Sequence, residues 1–114
     1  MHVFNVERVL SNLDNDKELL QSLIELFASQ TSELVKKIEE SIIEGDKKAL
    51  AIAAHTLKGV LGNFCADYAV ASAFKLEEIG RHGEIDSALS ELRTLKYEID
   101  RLQTALKEYS ESQI

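Results

Sequence analysis

The stretch Ala88 to Leu106, ALSELRTLKYEIDRLQTAL, decides how this chain folds. Its apolar positions Ala88, Leu92, Leu95, Ile99, Leu102 and Leu106 advance in alternating steps of four and three residues. A repeat of about 3.5 residues keeps one helical stripe turned toward a neighbouring helix, which is the seam of a helix bundle. A strand would instead need alternation by two. The chain therefore closes on a long amphipathic helix, and the helices that cover its stripe must lie upstream.

Four such segments can be read. Val3, Val6, Val9/Leu10 and Leu13 follow the spacing of one short helix, which breaks at Leu13-Asp14-Asn15-Asp16. Asn15 with Glu18 forms a possible capping box for a second, long helix, whose stripe is Leu20, Leu23, Phe27, Leu34, Ile38 and Ile42. Gly45 is suited to end it, and Asp46 to cap the third. The third helix, about Lys47 to Phe64, carries Leu50, Ala53, Ala54, Leu57, Val60, Leu61 and Phe64 on one face. A fourth, near Asp67 to Arg81, places Ala69, Val70, Ala73, Phe74 and Leu76 inward and ends in Gly80-Arg81-His82-Gly83. Connections of a few residues favour antiparallel neighbours. The expectation is an all-α protein, an antiparallel up-down-up-down four-helix bundle with a short N-terminal helix over one end. Residues 1–114 are read as a single domain, frayed from Ser110 to Ile114.

Composition agrees. The 114 residues hold no Pro and five Gly, too few turn formers for a strand-rich fold. The net charge of −7 disfavours nucleic acid and anionic membrane surfaces, both of which need a basic face. One cysteine, Cys65, makes no internal disulfide, which suits a reducing cytoplasm. No apolar run approaches a membrane span, and the N-terminus lacks a signal-peptide core. The expected location is cytoplasmic, the expected state a monomer, and the initial Met and short length suit a free-standing chain.

One residue does not fit the core pattern. On a wheel turning about 100° per residue, His55 points about 160° away from Leu57 and the apolar face. It is expected to face solvent, with Ala51, Gly59 and Gly62 as small neighbours and Ile52 and Lys58 one turn away. Two mid-helix glycines cost on the order of 1 kcal/mol each, and on a solvent face no core packing asks for them. From Lys47 to Ala66 there is no Asp or Glu, while Lys47, Lys48 and Lys58 remain. A negative group attached to or docked on His55 would be helped by that arrangement. By pattern alone, a merely solvated histidine fits equally well.

His55-Thr56-Leu57-Lys58-Gly59 resembles the H-x-L-K-G signature of histidine-containing phosphotransfer (HPt) domains. Ala54 before it and Gly62-Asn63-Phe64 after it are similar too. So are Phe27-x-x-Gln30, Gly45-Asp46, Leu76-Glu77-Glu78 and Gly80-Arg81, so the likeness covers nearly the whole chain. Cys65 departs from it, since the family commonly has Gly there, and a local change in the helix turn is expected.

The resemblance implies a phosphorelay carrier. A receiver domain of a hybrid sensor kinase docks over the third helix, and neutral His55 takes its phosphoryl group. The group then passes to the receiver of a response regulator. Lys58 would offset phosphoryl charge, Gly59 and Gly62 would let the receiver approach, and Ile52 would be an apolar docking contact. Gln30 could hydrogen-bond near the phosphoryl group. Arg81 is a further candidate, although a basic residue at a helix C-terminus already has a dipole reason to be there. No cofactor or metal is expected on this chain, since His2, His55, His82 and Cys65 lack ligand spacing.

Two rivals stand beside this reading. An enzyme using His55 as general base would need an orienting acid or nucleophile, which the acid-free stretch does not supply locally. It would also lack a nucleotide-binding loop, because Gly59-x-x-Gly62 lies inside a helix. A non-catalytic bundle adaptor would keep the fold and bind partner domains without phosphotransfer.

Overall fold

The computed structural model describes residues 3–113. The elements are α1 (Val6–Asn12), α2 (Lys17–Glu44), α3 (Lys47–Gly62), α4 (Asp67–His82), a short 3-10 turn (Ile85–Ser87) and α5 (Ala88–Ser112). No strand occurs among the described residues. Met1, His2 and Ile114 lie outside them, and with them the end of the segment expected to fray.

The helices pack in a ring: α2 on α3, α3 on α4, α4 on α5, and α5 back on α2. Paired side chains set the directions. Gln21 meets Ser110 and Glu39 meets Lys96, so α2 and α5 run antiparallel. His55 meets Glu77, while Gly80 lies against Lys47 and Ala51, so α3 and α4 do as well. The all-α antiparallel bundle expected from the sequence is therefore present. Its seam is the expected one: Ala88, Leu92, Leu95, Leu102 and Leu106 are buried, and Ile99 packs against them. Each fully buried Leu contributes on the order of 2 kcal/mol by leaving water.

The chain reverses where local chemistry directs. Gly45 adopts the left-handed conformation at φ 70°, and the Asp46 carboxylate accepts the Ala49 amide at 3.0 Å to start α3. At the head of α2 the cap is Asp16, which accepts the Leu19 amide at 2.9 Å. The expected Asn15 cap is corrected, because Asn15 and Asp14 both take positive φ to reverse the chain after α1. An Ncap residue needs extended backbone, and Asp16 has it.

Helix α2 has 28 residues and α5 has 25, against 16 each for α3 and α4. The long pair thus outruns the short pair at one end, and the N-terminal segment covers the gap. Phe4 packs edge-on against Phe64 and Tyr109, Val9 is fully buried, and Arg8 pairs with Asp67 at 3.0 Å. Cys65 lies beneath this cover with φ 51°, a conformation costing a non-glycine residue about 1 kcal/mol. That explains why glycine suits this turn. The expected fraying from Ser110 is corrected as well: α5 continues to Ser112, with the Ser110 hydroxyl bonded to the Gln21 side chain.

Two expectations for α4 change. Phe74 is half exposed rather than inward, because the buried arc runs through Ala69, Ala73, Leu76, Glu77 and Gly80. Gly80 does not end the helix but lies within it, facing α3. A Cβ at Gly80 would sit 2.6 Å from the Ala51 nitrogen and 2.8 Å from the Lys47 carbonyl oxygen. Both are backbone atoms that cannot swing aside. Gly80→Ala is therefore expected to destabilise the bundle by about 2–3 kcal/mol, despite alanine's better helix propensity. Urea unfolding of the two proteins is the measurement, and an unchanged midpoint would contradict this close approach.

Candidate functional site

Small side chains bring α3 and α4 together. Gly80 on α4 lies against the backbone of Ala51 on α3, and Ala51, Ala54, Ala69, Ala73 and Gly80 are all buried. Across this seam Glu77 reaches the edge of α3. Its carboxylate is almost wholly buried, at 4% side-chain exposure, yet it has four hydrogen bonds. Lys58 Nζ donates to Oε1 at 2.7 Å. His55 Nδ1 lies 2.9 Å from Oε2, and Arg81 donates to the same oxygen from Nε at 3.1 Å and Nη2 at 2.8 Å.

These contacts keep Glu77 ionised. The Lys58 hydrogen bond does most to hold its pKa down, aided by His55 and Arg81 against burial, which pushes it up; the result is about 2. An ionised carboxylate only accepts hydrogen bonds, so Nδ1 of His55 must carry the proton. In the neutral ring the lone pair then resides on Nε2, which is the atom left for chemistry.

The depressed pKa has a consequence for stability. A carboxyl group that binds its proton more weakly when folded stabilises the fold above its unfolded pKa, near 4.5, and stops doing so as pH falls toward about 2. Allowing for water around half-exposed Arg81 and exposed His55, the effect is about 1–2 kcal/mol. Unfolding by urea at neutral pH and at about pH 3 should show the wild type losing much of this increment and Glu77→Gln lacking it. Equal losses in both proteins would count against the assignment.

The remaining sequence-selected residues fall as follows. The His55 side chain is 61% exposed, as expected. Ile52 stands exposed beside it, and both line an open hollow of about 420 Å³ with Lys48, Ala51, Thr56, Gly80 and Arg81. Gly59 and Gly62 are exposed, and a Cβ on either would meet nothing within 4 Å. Lys58 is not a free cation: it is bonded to Glu77 and lies 5.1 Å above the Phe74 ring. Arg81 joins the cluster through the carboxylate, beyond any dipole role. Gln30 is exposed on α2 and bonds to none of these groups. Among the described residues no His, Cys, Asp and Glu side chains gather as a metal site, and no helix is long and apolar enough to cross a membrane.

Glu77 is the functional side chain that sequence reasoning missed. The acid-free stretch around His55 led to the expectation of no orienting acid nearby, and α4 supplies one from 22 positions away. A signal was present: Glu77 lies four residues after Ala73 and three before Gly80, so a carboxylate occupies the inward stripe of α4. A charge in that position requires partners.

An exposed imidazole thus stands on one helix of a four-helix bundle, its Nδ1 held by a buried carboxylate and with cations beside it. The family model described as Hpt domain matches residues 22–105, and the chain belongs to that family. In fold it is similar to histidine-containing phosphotransfer protein B (HptB) from Pseudomonas aeruginosa PAO1. The TM-score is 0.89 over 96% of each chain, at 21% sequence identity. No curated protein sequence matches the chain.

Proposed function

We propose that residues 1–114 form a single phosphotransfer domain that carries a phosphoryl group on His55 between the aspartates of two receiver domains. One receiver belongs to a hybrid sensor kinase and the other to a response regulator. The observation that carries this reading is the held ring: Nδ1 is tied to buried Glu77 while the rest of the imidazole stands in solvent. Nε2 attacks phosphorus in line as the aspartyl oxygen leaves. Such a transfer depends mainly on positioning and charge compensation. Lys58 and Arg81 can turn from Glu77 toward the phosphoryl oxygens, and Gly59, Gly62 and Ile52 provide an open face on which a receiver can dock. Gln30, exposed on α2, is assigned a hydrogen bond near the phosphoryl group. The relay takes place in the cytoplasm with the chain as a monomer, and neither nucleic acid nor membrane is a partner.

The experiment is transfer from a receiver domain preloaded with radiolabelled phosphate. Label should move to this chain and prove acid-labile and base-stable, as a phosphoramidate is. A bundle that binds the receiver but never takes label would be an adaptor, and this reading would be wrong.

Lys58→Ala is expected to slow transfer by about tenfold, since one compensating charge is removed from a partly solvated site. It should also destabilise the fold by about 1 kcal/mol, more than loss of a solvated lysine, because Glu77 loses its shortest hydrogen bond. Stopped-flow transfer rates alongside urea midpoints check both halves, and an unchanged rate would remove Lys58 from the mechanism.

A further inference from the structure

We propose that Glu77 keeps the Nδ1 proton on His55 throughout the transfer cycle, so that the phosphoryl-bearing ring is an imidazolium ready to leave as neutral imidazole. This rests on the reading of His55 as the phosphate acceptor.

The geometry supports a proton that never moves. The Glu77 carboxylate is buried, and its Oε2 lies 2.9 Å from Nδ1. When Nε2 attacks, its lone pair forms the N–P bond while the P–O bond to the donor aspartate breaks, its electron pair passing to that carboxylate. The ring then gains a positive charge and still carries its Nδ1–H. For onward transfer the N–P bond breaks, its electron pair returns to Nε2, and the second aspartate oxygen forms the new P–O bond. Neutral imidazole is left with the same proton, so none enters or leaves at any step. If the phosphorylated ring instead lost its Nδ1 proton to water, the leaving group would be imidazolate, a far poorer one, unless a proton were returned.

Charge around the ring points the same way. From α4, Glu77 and Arg81 face it; from α3, Lys58 shares the Glu77 carboxylate and Lys48 stands across the hollow. Among the described residues no charged group of α2 or α5 contacts the ring. Lys58 and Arg81 disfavour a third positive charge, but both already bond the carboxylate that favours it. A phosphoryl group brings nearly two negative charges. With the ring protonated, Lys58, Arg81 and the imidazolium balance Glu77 and the phosphoryl group. Without that proton the cluster carries a net negative charge against a mostly desolvated carboxylate, which is the costlier state.

The test is imidazole nitrogen NMR of the full chain, charged with phosphoramidate or by a phosphorylated receiver, at about pH 8, above the ordinary histidine range. The phosphorylated wild type should show a protonated Nδ1, whereas free N-phosphohistidine in the same buffer does not. Glu77→Gln retains a hydrogen-bond acceptor but not the charge. It should lose the Nδ1 proton and pass phosphate onward roughly tenfold to a hundredfold more slowly at that pH, the scale of a lost proton donor. The gap should close as pH is lowered. An unprotonated Nδ1 in wild type, with label on His55, overturns the proposal, and this spectrum decides the matter even if the variant fails to fold. Label that persists in His55→Gln would instead refute the acceptor assignment, so the two failures are distinct.

Discussion

His55→Gln is expected to take no phosphate from a phosphorylated receiver while folding as well as the wild type. The amide of glutamine has no nucleophilic lone pair, so the substitution removes the attacking atom and not merely its orientation. No other histidine lies on α3, and Cys65, just beyond the helix, is buried beneath the N-terminal segment. The stability half of the expectation follows from exposure. The His55 side chain is 61% exposed, and glutamine is at least as good a helix former. Loss of the Nδ1 contact to Glu77 leaves Lys58 and Arg81 on that carboxylate, so the change should stay within about 1 kcal/mol. Labelling and thermal unfolding of the same preparation check both. Residual label in a folded variant would move the acceptor elsewhere.

Gly59→Leu should nearly abolish transfer from a receiver while leaving the bundle folded. Gly59 is one turn beyond His55, and nothing lies within 4 Å of where its side chain would begin. A leucine there is accommodated in solvent, but it stands where a receiver must bring its aspartyl phosphate against Nε2. Displacement of the reacting atoms by about 1 Å already costs on the order of a hundredfold in rate. A small donor such as phosphoramidate needs no docking surface and should still label His55. Gly59→Ala provides the control, gaining up to about 1 kcal/mol from helix propensity while leaving the approach open. A leucine variant that folds and transfers at the wild-type rate would show that the glycine is not there for access.

The contrast between Gly59 and Gly80 shows what could be read from the sequence and what could not. Both are helical glycines in one small domain, and local pattern ranks them alike. Gly59 faces solvent, as the wheel of α3 indicates. Gly80 faces the backbone of α3, a fact that depends on how two distant segments pack. The seam of α5, the Gly45-Asp46 turn and the exposure of His55 were legible because each is set within a few residues. Phe74 was misplaced because its apolar character suggested burial, whereas its ring lies beneath the Lys58 ammonium. Glu77 was missed for the converse reason: its charge suggested solvent, and two of the three partners that make burial tolerable, His55 and Lys58, come from another helix.

The narrow spacing of α3 and α4 also affects how variants of this protein will sort in a mutational scan. Small residues fix the distance across which Glu77 reaches His55, and a hydrogen bond weakens steeply once stretched by a few tenths of an ångström. Enlarging Ala54 or Ala73 by a single methylene can leave a folded bundle yet detune the ring. The two kinds of score will then separate: abundance will track the long seam of α2 and α5, whereas signalling output will be most sensitive along the alanine-lined crease, at residues that themselves touch no phosphate.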